Sequence, residues 1–179
     1  DVAREMDIPV TEMITRTFAD GEIYHAFPRD IAGHDLVIIA STEDDVAHQE
    51  LIDLIAGARY WNALSVNVVI PYLGYSTMER ARPESGEIPK GITRTRQIFR
   101  ARPDYVAFLD LHSESVMHAH TGEVRTRHLW TERVAAEKIR QMGLANRAAQ
   151  DRLEARQSPF TPEWRYCLVG DPRPATRDK

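Results

Sequence analysis

A single cysteine, Cys167, in 179 residues leaves no partner for an internal disulfide. A disulfide-stapled secreted scaffold is therefore excluded, and a reducing, cytoplasmic setting is the default. Long hydrophobic runs are also missing: the longest are of strand length, so no membrane span is expected. Nor is there an excess of basic charge. With 23 Lys plus Arg against 27 Asp plus Glu, the net charge is -4, which argues against a broad nucleic-acid footprint and leaves any anion to be bound locally. The chain opens at Asp1 with no basic and then apolar leader, so no targeting peptide is expected. No GxxxxGK[ST] or GxGxxG loop follows an apolar run, which removes the two common backbone phosphate cradles, and no GxSxG elbow offers a nucleophile.

What remains is globular usage, 42% apolar and 28% charged, arranged in a repeating order. Three short apolar runs, residues 36–40 (LVIIA), 66–72 (VNVVIPY) and 105–111 (YVAFLDL), read as buried strands. Between them, residues 46–64 and 90–100 carry helical periodicity. The resulting spacing is that of βαβ units, which predicts an α/β fold: a parallel sheet in three αβα layers, with right-handed crossovers and helices on both faces. Residues 130–156 turn helical again, with Gly143 a candidate break. Pro159, Pro162, Pro172 and Pro174 then crowd the tail, where residues 166–169 (YCLV) offer a fourth strand. We expect a domain over 1–157 and a proline-rich tail, the start of a second domain, over 158–179.

In a parallel sheet, ligands bind beyond the carboxyl ends of the strands, so residues 41–45, 74–80 and 110–114 are the places to look. Asp110 and His112 are expected on one side of an extended chain, as a ligand pair or as a buried carboxylate and histidine that tie down a loop. His118, His120 and His128, with Glu114 and Glu123, invite a metal-binding reading, but their spacing fits neither HExxH nor a zinc finger. Asp20-Gly21, set between apolar flanks in TFADGEIYHAF, predicts a hairpin turn with Glu22 just past it. In GYSTMER, Glu79 and Arg80 read as an exposed ion pair.

Four of these segments, FADGE (18–22), GHDLVIIAST (33–42), IPYLGY (70–75) and DLH (110–112), follow in order and together resemble the amino-terminal half of a ribose-phosphate pyrophosphokinase. The resemblance implies a phosphoribosyltransferase-like domain with a β-hairpin near its N-terminus. It also implies transfer of the β,γ-diphosphoryl group of Mg-ATP to the 1-hydroxyl of ribose 5-phosphate, giving phosphoribosyl pyrophosphate (PRPP) and AMP. Phe18, Asp20 and Glu22 match the positions that hold the adenine end of ATP across a subunit contact, so a homo-oligomer is implied. An aromatic face with acceptors for a purine amino group suits that task. His112 matches the histidine that positions Mg2+ on the triphosphate, and Asp110 is expected to orient its loop. Downstream, EWRYC leads into GDPRP, which places Asp171 near a further metal-associated aspartate of the family.

The departures are as specific as the matches. Common members carry GYARQDR, whereas this chain has Thr77 and Met78 at the Arg-Gln pair and retains only the acid and base that follow, Glu79 and Arg80. The segment is similar to the class II branch of the family, which has a shortened F-E-R. Neither the D-D-x-x-x-T-G-G-T loop nor the basic flap of the family's second domain is present. The chain by itself is therefore expected to be inactive or weakly active, with a non-catalytic regulatory or assembly subunit as the alternative.

Overall fold

The computed structural model describes residues 2–28 and 30–154, with side chains through Gly143. Residues 166–169, Asp171 and the boundary expected near residue 157 lie outside the described residues. The described residues divide into two compact units, one up to Thr131 and one from Glu132 onward.

The first unit opens with a short helix, α1 (Val2–Glu5), and an antiparallel hairpin of β1 (Ile14–Thr17) and β2 (Ile23–Ala26). The Asp20-Gly21 turn forms as its residue chemistry predicts. Gly21 adopts φ +91°, the Phe18 amide donates to the Glu22 carbonyl at 2.8 Å, and the Glu22 amide donates to the Asp20 carboxylate at 3.2 Å. Then β3 (Asp35–Ile39), β4 (Ser65–Ile70), β5 (Tyr105–Leu109) and β6 (Arg125–Leu129) form one parallel sheet in chain order. The two later predicted strands end early. Pro71 has no N–H to donate beyond Ile70, and Asp110 turns out of the extended region at φ +43°. The sequence reading missed β6, because RTRHL is polar at four of its five positions and has neither the apolar run of a buried strand nor a polar–apolar alternation.

Helices α2 (Asp45–Tyr60) and α3 (Lys90–Arg100) supply the crossovers. The Asp44 carboxylate caps α2 by accepting from the Ala47 amide at 2.8 Å. Leu51, Ile55 and Ala58 of α2 and Ile98 and Phe99 of α3 share one core with Val66, Val68, Ile70, Val106 and Phe108 of the sheet. In the parallel register these five strand residues point to the same face. The opposite face carries Val37 and Ile39, both exposed. Right-handed crossovers between strands laid down in a single direction put every connecting helix on the same side, so these crossovers supply one helical layer.

In the second unit α4 (Glu132–Glu154) is continuous through Gly143, without the break its glycine suggested. Ala135, Ile139 and Met142 recur at helical spacing, and Arg140 and Gln141 bond to Glu137 one turn back.

The backbones approach closely just past the ends of β3 and β4. The Thr42 amide donates to the Tyr72 carbonyl at 2.9 Å, and the Gly74 amide to the buried Thr42 hydroxyl at 3.0 Å. A Cβ on Gly74 would overlap the Thr42 carbonyl oxygen, which is main chain and cannot swing away. Gly74→Ala should therefore destabilise the protein by about 3 kcal/mol, within the range for overpacking a close contact, read as a lowered midpoint in urea unfolding.

Candidate functional site

The loops that follow β3, β4 and β5 emerge at one edge of the sheet because all the strands run in the same direction. After β4 the chain reverses at Tyr75, φ +61°, whose hydroxyl donates to Asp45 at 3.1 Å. Lys90 lies 5.0 Å from the centre of the Tyr75 ring, and Arg94 pairs with Asp45 at 2.8 Å. Tyr75 and the start of α3 are thus joined to the start of α2. The hydrogen bond to Asp45 holds the Tyr75 phenol above its ordinary pKa.

Further along this loop, Thr77 and Met78 are exposed, while the Met78 carbonyl accepts the Gly91 amide at 3.0 Å and seats the first turn of α3. The expected ion pair of Glu79 and Arg80 is present at 3.5 Å but only half exposed: the Arg80 side chain is 86% exposed and the Glu79 side chain 8%. Glu79 is thus turned into the loop and Arg80 out to solvent.

The loop after β5 is braced from β6. Asp110, in the left-handed region that Asp tolerates better than most residues, accepts the Thr131 amide at 3.0 Å and the Thr131 hydroxyl as well. These two bonds hold its carboxyl below the ordinary aspartate range. The Leu111 amide donates to Nε2 of His128 at 2.9 Å, so the imidazole carries its proton on Nδ1 and donates it to Glu114 at 2.9 Å. The ring is 3% exposed and packs against Trp130, with centroids 3.9 Å apart. His112 stands exposed between these two anchors.

This geometry corrects one expectation and sorts the histidines. Asp110 and His112 do not share one side of an extended chain, because the positive φ of Asp110 breaks the two-residue alternation. Asp110 fixes its loop, the role expected of it, through its bonds to Thr131. The histidine cluster also separates: His128 is used as described, His120 accepts the Gly122 amide at 2.9 Å and lies against Phe99, and His118 ends a 3-10 turn, Glu114–His118. Among the described residues no three His, Cys, Asp or Glu side chains converge to hold a metal ion.

On the hairpin, Phe18 is 52% exposed and meets Tyr24 edge-on, with centroids 6.3 Å apart; Asp20 and Glu22 are exposed beside it. One carboxylate oxygen of Asp20 is engaged by the Glu22 amide, which leaves Glu22 the freer acceptor. No motif in the sequence pointed to His25. Its Nε2–H donates to Glu50 of α2 at 2.7 Å, a contact between residues 25 positions apart.

Two outcomes follow from the bracing of the DLH loop. His128→Phe keeps an aromatic ring against Trp130 but strands the Leu111 N–H, at a cost of about 2 kcal/mol in urea unfolding. The Asp110 contribution to stability has a defined sign with pH. With its folded-state value lowered, it is complete above the ordinary aspartate range and lost as pH falls through the lowered value, so Asp110→Asn should flatten the acid limb of stability against pH.

Comparison with known proteins converges on one family. A family model described as the N-terminal domain of ribose phosphate pyrophosphokinase matches residues 1–90. A Streptococcus pyogenes serotype M6 protein, provisionally named ribose-phosphate pyrophosphokinase 2, is 32% identical over 147 residues, covering 80% of this chain and 44% of its own length. The ribose-phosphate pyrophosphokinase of Thermoplasma volcanium is 28% identical over 116 residues, covering 65% of this chain and 40% of its own. Among solved structures, phosphoribosylpyrophosphate synthetase from Mycobacterium smegmatis superposes with a TM-score of 0.69 at 21% identity, over 77% of this chain and 46% of that one, a likeness of fold. This chain thus spans less than half the length of these relatives. On the order of its motifs, its parallel sheet with an N-terminal hairpin and these matches, the chain belongs to the ribose-phosphate pyrophosphokinase family and carries that family's N-terminal domain.

Proposed function

We propose that this chain supplies the ATP-facing half of a ribose-phosphate diphosphokinase site. In that reaction the 1-hydroxyl oxygen of ribose 5-phosphate attacks the β-phosphorus of Mg-ATP. The bond from that phosphorus to the α,β-bridging oxygen breaks, AMP leaves with the electron pair, and the hydroxyl proton passes to solvent. The observation that carries the reading is the hairpin tip, where exposed Phe18 and Glu22 present an aromatic face and a free carboxylate side by side. Phe18 would stack on the adenine, while Glu22, with Asp20 beside it, would accept from its amino group.

Glu79, Arg80 and His112 stand on the strand-end loops, where Arg80 would reach a phosphate and His112 the Mg2+ that arrives on ATP as part of the substrate. Asp171, beyond the described residues, would add a carboxylate to that metal. Pairing the exposed Ile14, Phe18, Ile23 and Tyr24 of one hairpin with a second copy would complete the adenine pocket, so the functional unit is a homo-oligomer. Among the described residues no helix is long and apolar enough to cross a membrane. The single cysteine favours a reducing, cytoplasmic setting.

A second reading rests on Thr77 and Met78. Both are exposed in the β4 loop and neither offers the forked donors that an arginine gives a phosphate, which favours a regulatory or assembly subunit that binds nucleotide without transferring it.

Calorimetric titration of the chain with Mg-ATP tests the nucleotide half-site that both readings share. Saturable binding is expected, weakened about tenfold by Phe18→Ala through loss of the stacking face and similarly by Glu22→Ala. Wild-type chain that takes up no Mg-ATP, or variants that bind it equally well, would refute the site. PRPP formation on adding a second domain of the family then separates the diphosphokinase from the non-catalytic subunit.

A further inference from the structure

The hairpin that carries Phe18 and Glu22 has too few residues to be stable by itself, so something must hold it at a fixed angle to the rest of the unit. Strand β2 meets α2 at two points. His25 donates from Nε2 to Glu50 at 2.7 Å, with its side chain 13% exposed and that of Glu50 42%. Two residues on, the Phe27 ring lies against Gly57, 3.4 Å from where a Cβ would stand. Phe27 follows directly on the end of β2, and Glu50 and Gly57, seven apart, fall on one side of α2, so both contacts lie along one face of the helix.

The pairing also gives a direction. From His25 to Phe27 the chain runs the way α2 runs from Glu50 to Gly57, so tracing β2 back from His25 carries the turn at Phe18–Glu22 toward the N-terminal end of α2. That is the end where Asp44 and Asp45 follow β3 and where Tyr75 and Arg94 meet Asp45. An apolar contact alone would let the hairpin slide along the helix. The short, partly buried polar bond, which has one donor and one acceptor, sets the register.

We propose that His25 and Glu50 form a positioning latch that fixes the hairpin at one register along α2, and with it the Phe18 and Glu22 that it presents to purine at the contact with a second copy; this rests on the nucleotide reading given above. His25 touches no substrate and acts through the hairpin.

The test uses the full chain with Mg-ATP as probe, and measures in parallel the amide hydrogen exchange of residues 14–26. Breaking a hydrogen bond of this kind should weaken Mg-ATP binding about tenfold in His25→Ala. Glu50→Ala should match it, and the double variant should add little to either. His25→Gln, whose amide nitrogen reaches the position of Nε2, should restore most of the affinity, whereas His25→Leu, of similar bulk but with no donor, should not, which separates the hydrogen bond from a purely steric role. Exchange should quicken in the hairpin and stay unchanged in β4 and β5, marking loss of the latch and not of the fold.

Wild-type binding that His25→Ala leaves unaltered would overturn the latch while sparing the nucleotide site. If the wild type fails to bind Mg-ATP, the nucleotide reading falls, and exchange decides the latch alone. Faster exchange confined to the hairpin in His25→Ala and Glu50→Ala would sustain it, and unchanged exchange would overturn it.

Discussion

Strands taken up in chain order and all pointing the same way leave little freedom for everything attached to them. Each right-handed crossover must return on the same side, so α2 and α3 are committed to one face, where they meet Val66, Val68, Ile70, Val106 and Phe108. Each strand likewise delivers its following loop to the same edge. Segments that lie tens of residues apart in the chain become neighbours at that edge without any long-range recognition beyond strand pairing. The chemistry open to the domain is therefore gathered by topology first and refined by side chains second.

The refinement is done by polar bonds at places where the backbone is strained. Tyr75 and Asp110 both hold positive φ, a conformation that costs a non-glycine residue about 1 kcal/mol or more, and each is held there by partners outside its own loop. For Tyr75 these are Asp45 through the hydroxyl and Lys90 over the ring; for Asp110 the partner is Thr131, through both its amide and its hydroxyl. His128 adds a bond to the Leu111 amide that only an uncharged ring nitrogen can accept. None of these groups needs to touch a ligand. They spend their hydrogen bonds on keeping His112 and the β4 loop where a ligand could find them, which is how a rigid sheet lends precision to loops that would otherwise wander. Elsewhere the same economy is purely structural. Burial keeps the His48 imidazole below its ordinary pKa, and its ring bonds the Arg94 carbonyl at 3.0 Å to join α2 to α3.

The domain had largely declared itself along the chain. Apolar runs at βαβ spacing announced β3, β4 and β5 with their two helices, and Asp20-Gly21 announced a tight turn, because burial and turn geometry act on neighbouring residues and leave a local imprint. The motifs FADGE, IPYLGY and DLH carried the family for the same reason, since each is contiguous. Strand β6 left no such imprint, since the register with β5, and not apolar content, makes RTRHL a strand.

Site residues were legible as candidates, but their division of labour was not. From the sequence, Asp110, His112, His118, His120 and His128 form one polar stretch in which the DLH motif favours His112 but the partners of the other groups stay open. The fold separates them, because a left-handed turn at Asp110 and the return of β6 decide which ring faces a backbone amide and which faces solvent. The His25–Glu50 contact likewise joins residues that nothing in the chain connects until β2 lies along α2. What the sequence by itself determined is the α/β alternation, the hairpin turn and the family, all written in short-range pattern. What only the tertiary structure decided is which polar groups are occupied and which are free, because a hydrogen bond is set by distances of a few ångströms between elements that the chain keeps far apart.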